Sequence, residues 1–212
     1  MVGNGLLQNL KEHLMNNITF ISYYTEGVYE QVINTYLVPS LQKFHLTYLL
    51  KEYPSRNTWG ENIKYKPQFI LDTLNEVKTD LVFLDADAQV CQYPQLFFDI
   101  EDSYDIGVHY LDWFEFWKNQ HNQKKFELLS GTLFIRNNEH TKKLVFDWNE
   151  RTKKSNEVEQ KVLENLLLQY PHIKIYKLPR TYCRILRNTE SITESIIIAH
   201  NQASRKYRNK KC

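Results

Sequence analysis

Apolar runs and helical stripes alternate along this chain. "ITFISYY" (18–24) is dense in β-branched and aromatic residues and reads as a strand, which Gly27 breaks. Val28, Val32, Ile33, Tyr36 and Leu37 then recur at helical spacing, and Pro39 is expected to end that helix. "FHLTYLLKEY" (44–53) reads as a second strand and "PSRNTWGENIKY" as a polar loop. Pro67 suits a first helical turn, and Phe69, Ile70, Leu74 and Val77 share one apolar face behind it. In "DLVFLDADA", residues 81–84 are apolar on both faces, as in a central parallel strand covered by helices. "YDIGVHY" (104–110), "LLSGTLFIRN" (128–137), "IKIYKLP" and "SIIIAH" read as later strands. "TKKLVFDWNERTKK" and "EVEQKVLENLLLQY" read as helices. The second carries the stripe Val158, Val162, Leu163, Leu166, Leu167 and Tyr170 and stops before Pro171. Strands alternating with helices from the start predict a doubly wound α/β fold. No repeat, low-complexity tract or linker interrupts it, so residues 1–212 are expected to form a single domain.

Composition narrows the class. A chain of 212 residues can bury a substantial core, and 42% hydrophobic with 25% charged residues is ordinary globular material. The aromatic share of 14%, including 14 Tyr and 4 Trp, is high and suits pockets for sugars or bases. A net charge of +2 argues against a dedicated nucleic-acid binder. The positive charge gathers in "SRKYRNKKC", which reads as a solvated end, a phosphate contact, or the start of a linker into a longer protein. Cys91, Cys183 and Cys212 are odd in number and form no CxxC pair, which fits a reducing compartment. The amphipathic, charged opening lacks a signal-peptide core, and no apolar run approaches the about 20 residues of a membrane span. The sequon at Asn17 sits at a strand start and is read as chance. A soluble, cytoplasmic protein is expected.

The chemistry concentrates at "LVFLDADAQV" (81–90), where an apolar strand runs into Asp85 and Asp87. Two carboxylates so close repel, and each loses hydration near a core. A divalent cation offsets both costs, and oxygen ligands suit Mg²⁺ or Mn²⁺ shared with substrate phosphates. In open α/β sheets ligands sit at the carboxyl ends of strands, so Ser22–Thr25 at the end of the first strand fall on the same rim if the strands are parallel. "IIIAHNQASRKYR" (196–208) sends another apolar run into His200, followed by Arg205, Lys206 and Arg208. One nitrogen ligand favours Mn²⁺, and the basic residues could neutralise a diphosphate. There is no GxGxxG after the first strand, no GxxxxGK[ST], no GxSxG and no HExxH, which argues against dinucleotide, P-loop, hydrolase-elbow and zincin sites.

Four segments together resemble the nucleotide-diphosphosugar glycosyltransferases of GT-A fold. "LVFLDADAQV" resembles their DxD strand, "SGTLFIRN" (130–137) their donor-sugar segment, and "EQKVLEN" (159–165) their DQxxLN helix start. In that last segment Glu159 replaces the usual Asp and Glu164 the usual Asn. "HNQASRK" (200–206) is similar to their terminal His-x5-Lys element. Size, composition and the opening residues also resemble the glycosyltransferase domains encoded by large chlorella viruses. The resemblance implies a Rossmann-like three-layer α/β/α sandwich with a central, mostly parallel mixed sheet. It implies a UDP-sugar donor of hexose or 6-deoxyhexose type, Mn²⁺ with Mg²⁺ as the substitute, and a glycan acceptor, for a viral enzyme that of a capsid protein. It places a viral member in the host cytoplasm, and a monomer without nucleic-acid or membrane partners is expected.

By that resemblance Asp85, Asp87 and His200 are metal ligands and Ser22, Tyr23, Tyr24 and Thr25 line the nucleoside pocket. Lys66 lies near the donor phosphates, Ser130 and Gly131 face the donor sugar, and Lys206 meets the diphosphate. Glu159 bonds sugar hydroxyls or acts as base, with the longer Glu reach leaving its role open. In "HYLDWFEFW" (109–117), four large aromatics interleave with Asp112 and Glu115. This is either an acceptor platform with a general base or a flap folded onto the core. Arg56 and Trp59, in the loop before Lys66, are also candidates, although the ordinary loop reading is favoured for both. The acceptor hydroxyl would attack C1 of the donor sugar, with the stereochemistry left open. The alternative is a haloacid-dehalogenase-type phosphatase using Asp85 as nucleophile, although Gln89 stands where a Ser or Thr is wanted and no later Asp pair follows. A sugar-nucleotide pyrophosphorylase lacks its Gly-rich loop here, and a silent glycan-binding module would not need the DxD.

Overall fold

The computed structural model describes residues 17–114, 126–186 and 195–207. The central sheet has six strands in the order β2-β1-β3-β6-β5-β7. They are β1 (Ile18–Thr25), β2 (Tyr48–Tyr53), β3 (Asp80–Leu84), β5 (Ile106–Asp112), β6 (Phe126–Ile135) and β7 (Ile175–Lys177). β1 runs parallel to β2 and β3, and β5 parallel to β7. Only β6 runs against its neighbours β3 and β5. The sheet is therefore mixed and mostly parallel, and β1 and β3 end on one rim as the sequence suggests.

Helices cover both faces. One face packs on α4 (Tyr65–Glu76), α6 (Glu139–Lys154) and α7 (Glu159–Leu167), with Phe69, Ile70, Leu144, Trp148, Leu163 and Leu166 fully buried against Phe83, Leu133 and Ile135. The other face packs on α1 (Val28–Thr35), α2 (Leu37–Lys43) and α5 (Leu96–Asp99) through Ile33, Leu37, Leu41 and Phe97. A small second sheet joins that layer, in the order β4-β9-β8, from β4 (Ala88–Val90), β8 (Arg184–Ile185) and β9 (Ile198–His200). "SIIIAH" thus forms a strand of the small sheet. Its pairing with β4 brings His200 opposite Ala88, next to the paired aspartates.

Several boundaries differ from the sequence pattern for local reasons. Pro39 does not stop a helix; it lies in the first turn of α2, where its missing N–H costs nothing. The second strand starts at Tyr48 because residues 44–47 turn out of α2, with His45 at φ 51°. The polar loop contains α3 (Trp59–Ile63), started by a capping box in which Thr58 and Glu61 satisfy each other's backbone N–H. Asn138 and Thr141 form the same device at the head of α6. Val158, placed by its spacing on the apolar stripe, is 42% exposed at the head of α7.

The sheet carries one irregularity that matters later. Val108 pairs with Leu133 but His109 pairs with Leu129, so residues 130–132 stand on β6 without β5 partners. Such a bulge re-aims side chains that strict alternation would send to one face. Behind it, Trp148 is fully buried and its Nε1 donates to the Glu159 carbonyl (2.8 Å), fixing the start of α7 to α6. Trp148→Ala is expected to cost about 3–5 kcal/mol in urea unfolding, since it opens a cavity and frees that carbonyl. A loss under about 1 kcal/mol would show that α6 does not anchor α7.

Candidate active site

β3 ends at Leu84 and the chain turns through Asp85, Ala86 and Asp87 into β4. The turn is pinned by hydrogen bonds from Asp85 N to the Gly131 carbonyl and from Ala88 N to the Asp85 carbonyl, both 2.9 Å. One ligand atom each from Asp85, Asp87 and His200 lies within 4.8 Å of the others, a group able to hold a metal ion. Asp87 Oδ1 lies 3.6 Å from His200 Nδ1, and its Oδ2 accepts from the Ala203 amide at 2.8 Å. Burial alone would raise the Asp87 carboxyl, but His200 and that amide hold it below its usual range. Burial likewise opposes a charged His200, yet Cys183 and Asp87 raise its pKa to about 10.

Gly131 makes room for this group. A Cβ there would lie 2.9 Å from Asp85 Oδ2 and 3.0 Å from His200 Cε1, so any side chain would push the ligands apart. The side chains nearest Gly131 are those of Asp85 and His200.

Lys66 forms the floor. Its Nζ lies 3.0 Å from Asp85 Oδ1 and 2.8 Å from Glu159 Oε1, and it donates to Ser130 Oγ (3.0 Å) and the Ser130 carbonyl (3.2 Å). Ser130 Oγ in turn donates to Glu159 Oε1 at 2.8 Å. Burial would lower the Lys66 pKa, but Asp85 and Glu159 outweigh it and raise it. Asp85 opens to the cleft with 41% of its side chain exposed. Desolvation, with Asp87 beside it, still holds its carboxyl above the usual range against the pull of Lys66.

Above this floor lies a cleft of about 210 Å³. Tyr23, Tyr24 and Thr25 line one wall, while Trp59, Val158 and Gln160 also face it. The buried Thr25 hydroxyl has no hydrogen-bond partner among the described residues. Ser22 is buried, its hydroxyl also lacks a partner among the described residues, and it is not part of the cleft lining. Tyr23 packs on Phe69 and Phe83 and donates to the Asn62 carbonyl, and Tyr24 donates to Glu52. Asp112 stands apart from the lining, at the end of β5, where Oδ1 accepts from the Phe114 amide (2.9 Å). Lys206 is exposed on α8 (Ala203–Tyr207), directly after His200, and Ser204 of the same helix lines the cleft. Glu115, Phe116, Trp117 and Arg208 lie outside the described residues.

Residues 41–211 match the family described as nucleotide-diphospho-sugar transferase. The chain belongs to that family. It is a glycosyltransferase, and the phosphatase alternative falls. The fold agrees with solved glycosyltransferases. One, involved in glycosylating the major capsid of PBCV-1, superposes with TM-score 0.63 at 12% identity, covering 90% of this chain and 96% of its own. Mouse xyloside xylosyltransferase 1 superposes with TM-score 0.53 at 9% identity, covering 88% and 98%. No curated protein matches the sequence. The GT-A-like fold expected from the DxD strand and its companions is the one found. No helix among the described residues of this transferase is long and apolar enough to cross a membrane.

Sequence reasoning missed Gln160 and Thr132, and ranked Trp59, which lines the cleft, as a loop residue first. The Thr-x-x-Glu box at 58–61 marks a helix start and would have lifted Trp59 out of the loop. Gln160 Oε1 accepts from Ser130 N (3.0 Å) and its Nε2 donates to Glu127, so it braces the bulge. Arg136 and Asn137, the "RN" of the donor segment, do structural work far from the cleft. Arg136 pairs with Asp80 (2.7 Å), and Asn137 Nδ2 donates to the Val77 carbonyl (2.7 Å).

Lys66→Met removes the partner of Glu159, whose side chain is only 4% exposed. The folded pKa of Lys66 is raised, so its contribution is complete below the unfolded value of 10.5 and fades only above it. Urea unfolding at pH 7 is expected to show a loss of about 3 kcal/mol, because a buried carboxyl is left without its counter-charge. A loss under about 1 kcal/mol, the size of an exposed ion pair, would contradict this.

Proposed function

We propose that this transferase moves a hexose or 6-deoxyhexose from a UDP-sugar to a glycan hydroxyl, with Mn²⁺ held by Asp85, Asp87 and His200. The observation that carries the reading is the carboxylate–carboxylate–imidazole group at the floor of a cleft, packed so tightly that only glycine fits beside it. Two hard oxygens with one nitrogen suit Mn²⁺ better than Mg²⁺. Bound there, the cation supplies Lewis-acid stabilisation of the departing diphosphate.

The chain's own groups do the rest. Thr25, with its hydroxyl unpartnered among the described residues, and the Tyr23–Tyr24 wall receive the nucleoside, with the buried Ser22 on the same strand. Lys206 and the neighbouring basic residues of α8 offset the diphosphate charge from the open side. Ser130 and Glu159 face the donor sugar, with Lys66 holding Glu159 so that it can accept from sugar hydroxyls. Asp112 is assigned the role of taking the proton of the attacking hydroxyl if the reaction inverts. A capsid glycan as acceptor, in the host cytoplasm, draws support from the PBCV-1 neighbour. A monomeric enzyme is part of the same proposal.

Titrating UDP into the protein by calorimetry, with Mn²⁺ and then with EDTA, tests this. Micromolar binding that needs Mn²⁺ and vanishes in Asp87→Ala is expected. UDP binding that EDTA leaves unchanged would remove the metal from the reading, and no binding in any condition would remove UDP.

A further inference from the structure

Thr132 is fully buried at the bulge of β6, opposite Leu84 at the end of β3. Its Oγ1 lies 2.8 Å from His200 Nε2. The bulge splits the two hydroxyls of this segment: Ser130 turns to Lys66 and Glu159, and Thr132 to His200. The other ring nitrogen points the opposite way. Nδ1 lies 3.6 Å from Asp87 Oδ1, on the edge of the ring that Gly131 lets approach Asp85. The backbone of His200 is held as well, paired with Ala88 and Ile185 on its two sides, with its carbonyl accepting from Leu186 N at 3.0 Å.

A neutral imidazole carries one proton, and a metal needs the bare nitrogen. Nε2 faces a hydroxyl in a fully buried setting, whereas Nδ1 faces the carboxylates. We infer that Thr132 is a positioning residue that accepts the Nε2 proton of His200, so that His200 offers the cation its Nδ1. The inference rests on the metal role proposed above for Asp85, Asp87 and His200. It adds the choice of nitrogen and the residue that makes it. Partners of this kind orient a metal-binding imidazole and typically tune affinity by 10- to 100-fold.

Two measurements test it. Mn²⁺ binding is followed by the electron paramagnetic resonance of free Mn²⁺ for wild type, Thr132→Val and Thr132→Ser. Long-range ¹H–¹⁵N spectra of the Zn²⁺-loaded wild type report which nitrogen of His200 is protonated. Thr132→Val is expected to weaken Mn²⁺ by about 10- to 100-fold. Thr132→Ser, which keeps the hydroxyl, is expected to stay close to wild type, and the proton is expected on Nε2. Wild-type affinity in Thr132→Val, or a proton on Nδ1 in the Zn²⁺-loaded protein, overturns the inference while leaving the metal site intact. No Mn²⁺ binding by wild type overturns the metal site and this inference together. Should Thr132→Val fail to fold, the wild-type spectra and Thr132→Ser still decide: a proton on Nδ1, or a tenfold loss in Thr132→Ser, counts against the inference.

Discussion

One buried ammonium ties the active-site floor together. Lys66 comes from the first turn of α4, Asp85 from the end of β3, Ser130 from the bulge of β6 and Glu159 from the first residue of α7. All four elements meet at this one ammonium. Burying a charge is costly unless it is fully paired, and Lys66 meets two carboxylates and two serine oxygens. With these partners engaged, Lys66 holds Asp85 and Glu159 in place. The open basic surface belongs to α8.

The floor has a complementary wall. β6 pairs with β3 up to Leu84 and continues past its end, so residues 130 and 131 stand beside the DxD turn, where the Gly131 carbonyl accepts from Asp85 N. Glycine at 131 lets two ligand side chains close in, and the bulge sends Ser130 and Thr132 to different partners. The small sheet finishes the arrangement, because the antiparallel pairing of β9 with β4 carries His200 back to the DxD turn. The Asp85–Asp87–His200 group is thus assembled from two sheets.

Much of this is legible in the chain itself. The all-apolar run at 81–84 announces a central strand, and the carboxylates after it announce the site, because strand-end geometry and charge repulsion are local facts. The basic cluster after His200 is equally readable. What the pattern conceals is non-local. Nothing in "SIIIAH" says that it leaves the main sheet, because that depends on which edge is free to pair. Nothing in "LLSGTLFIRN" says that it runs antiparallel, or that a bulge interrupts its alternation. Pro39 misleads because a proline ends one helix and starts another with the same φ. Trp59 hides because a capping box inside a polar stretch looks like loop composition.

The account stands most directly on where a cation sits. Crystals grown with Mn²⁺ and UDP, measured on either side of the manganese absorption edge, would give that position without any assumption about activity. The account predicts one strong anomalous peak within coordination distance of Asp85, Asp87 and His200 Nδ1, with the diphosphate on its open side. A peak elsewhere, or nucleotide bound with no peak in the cleft, would contradict it.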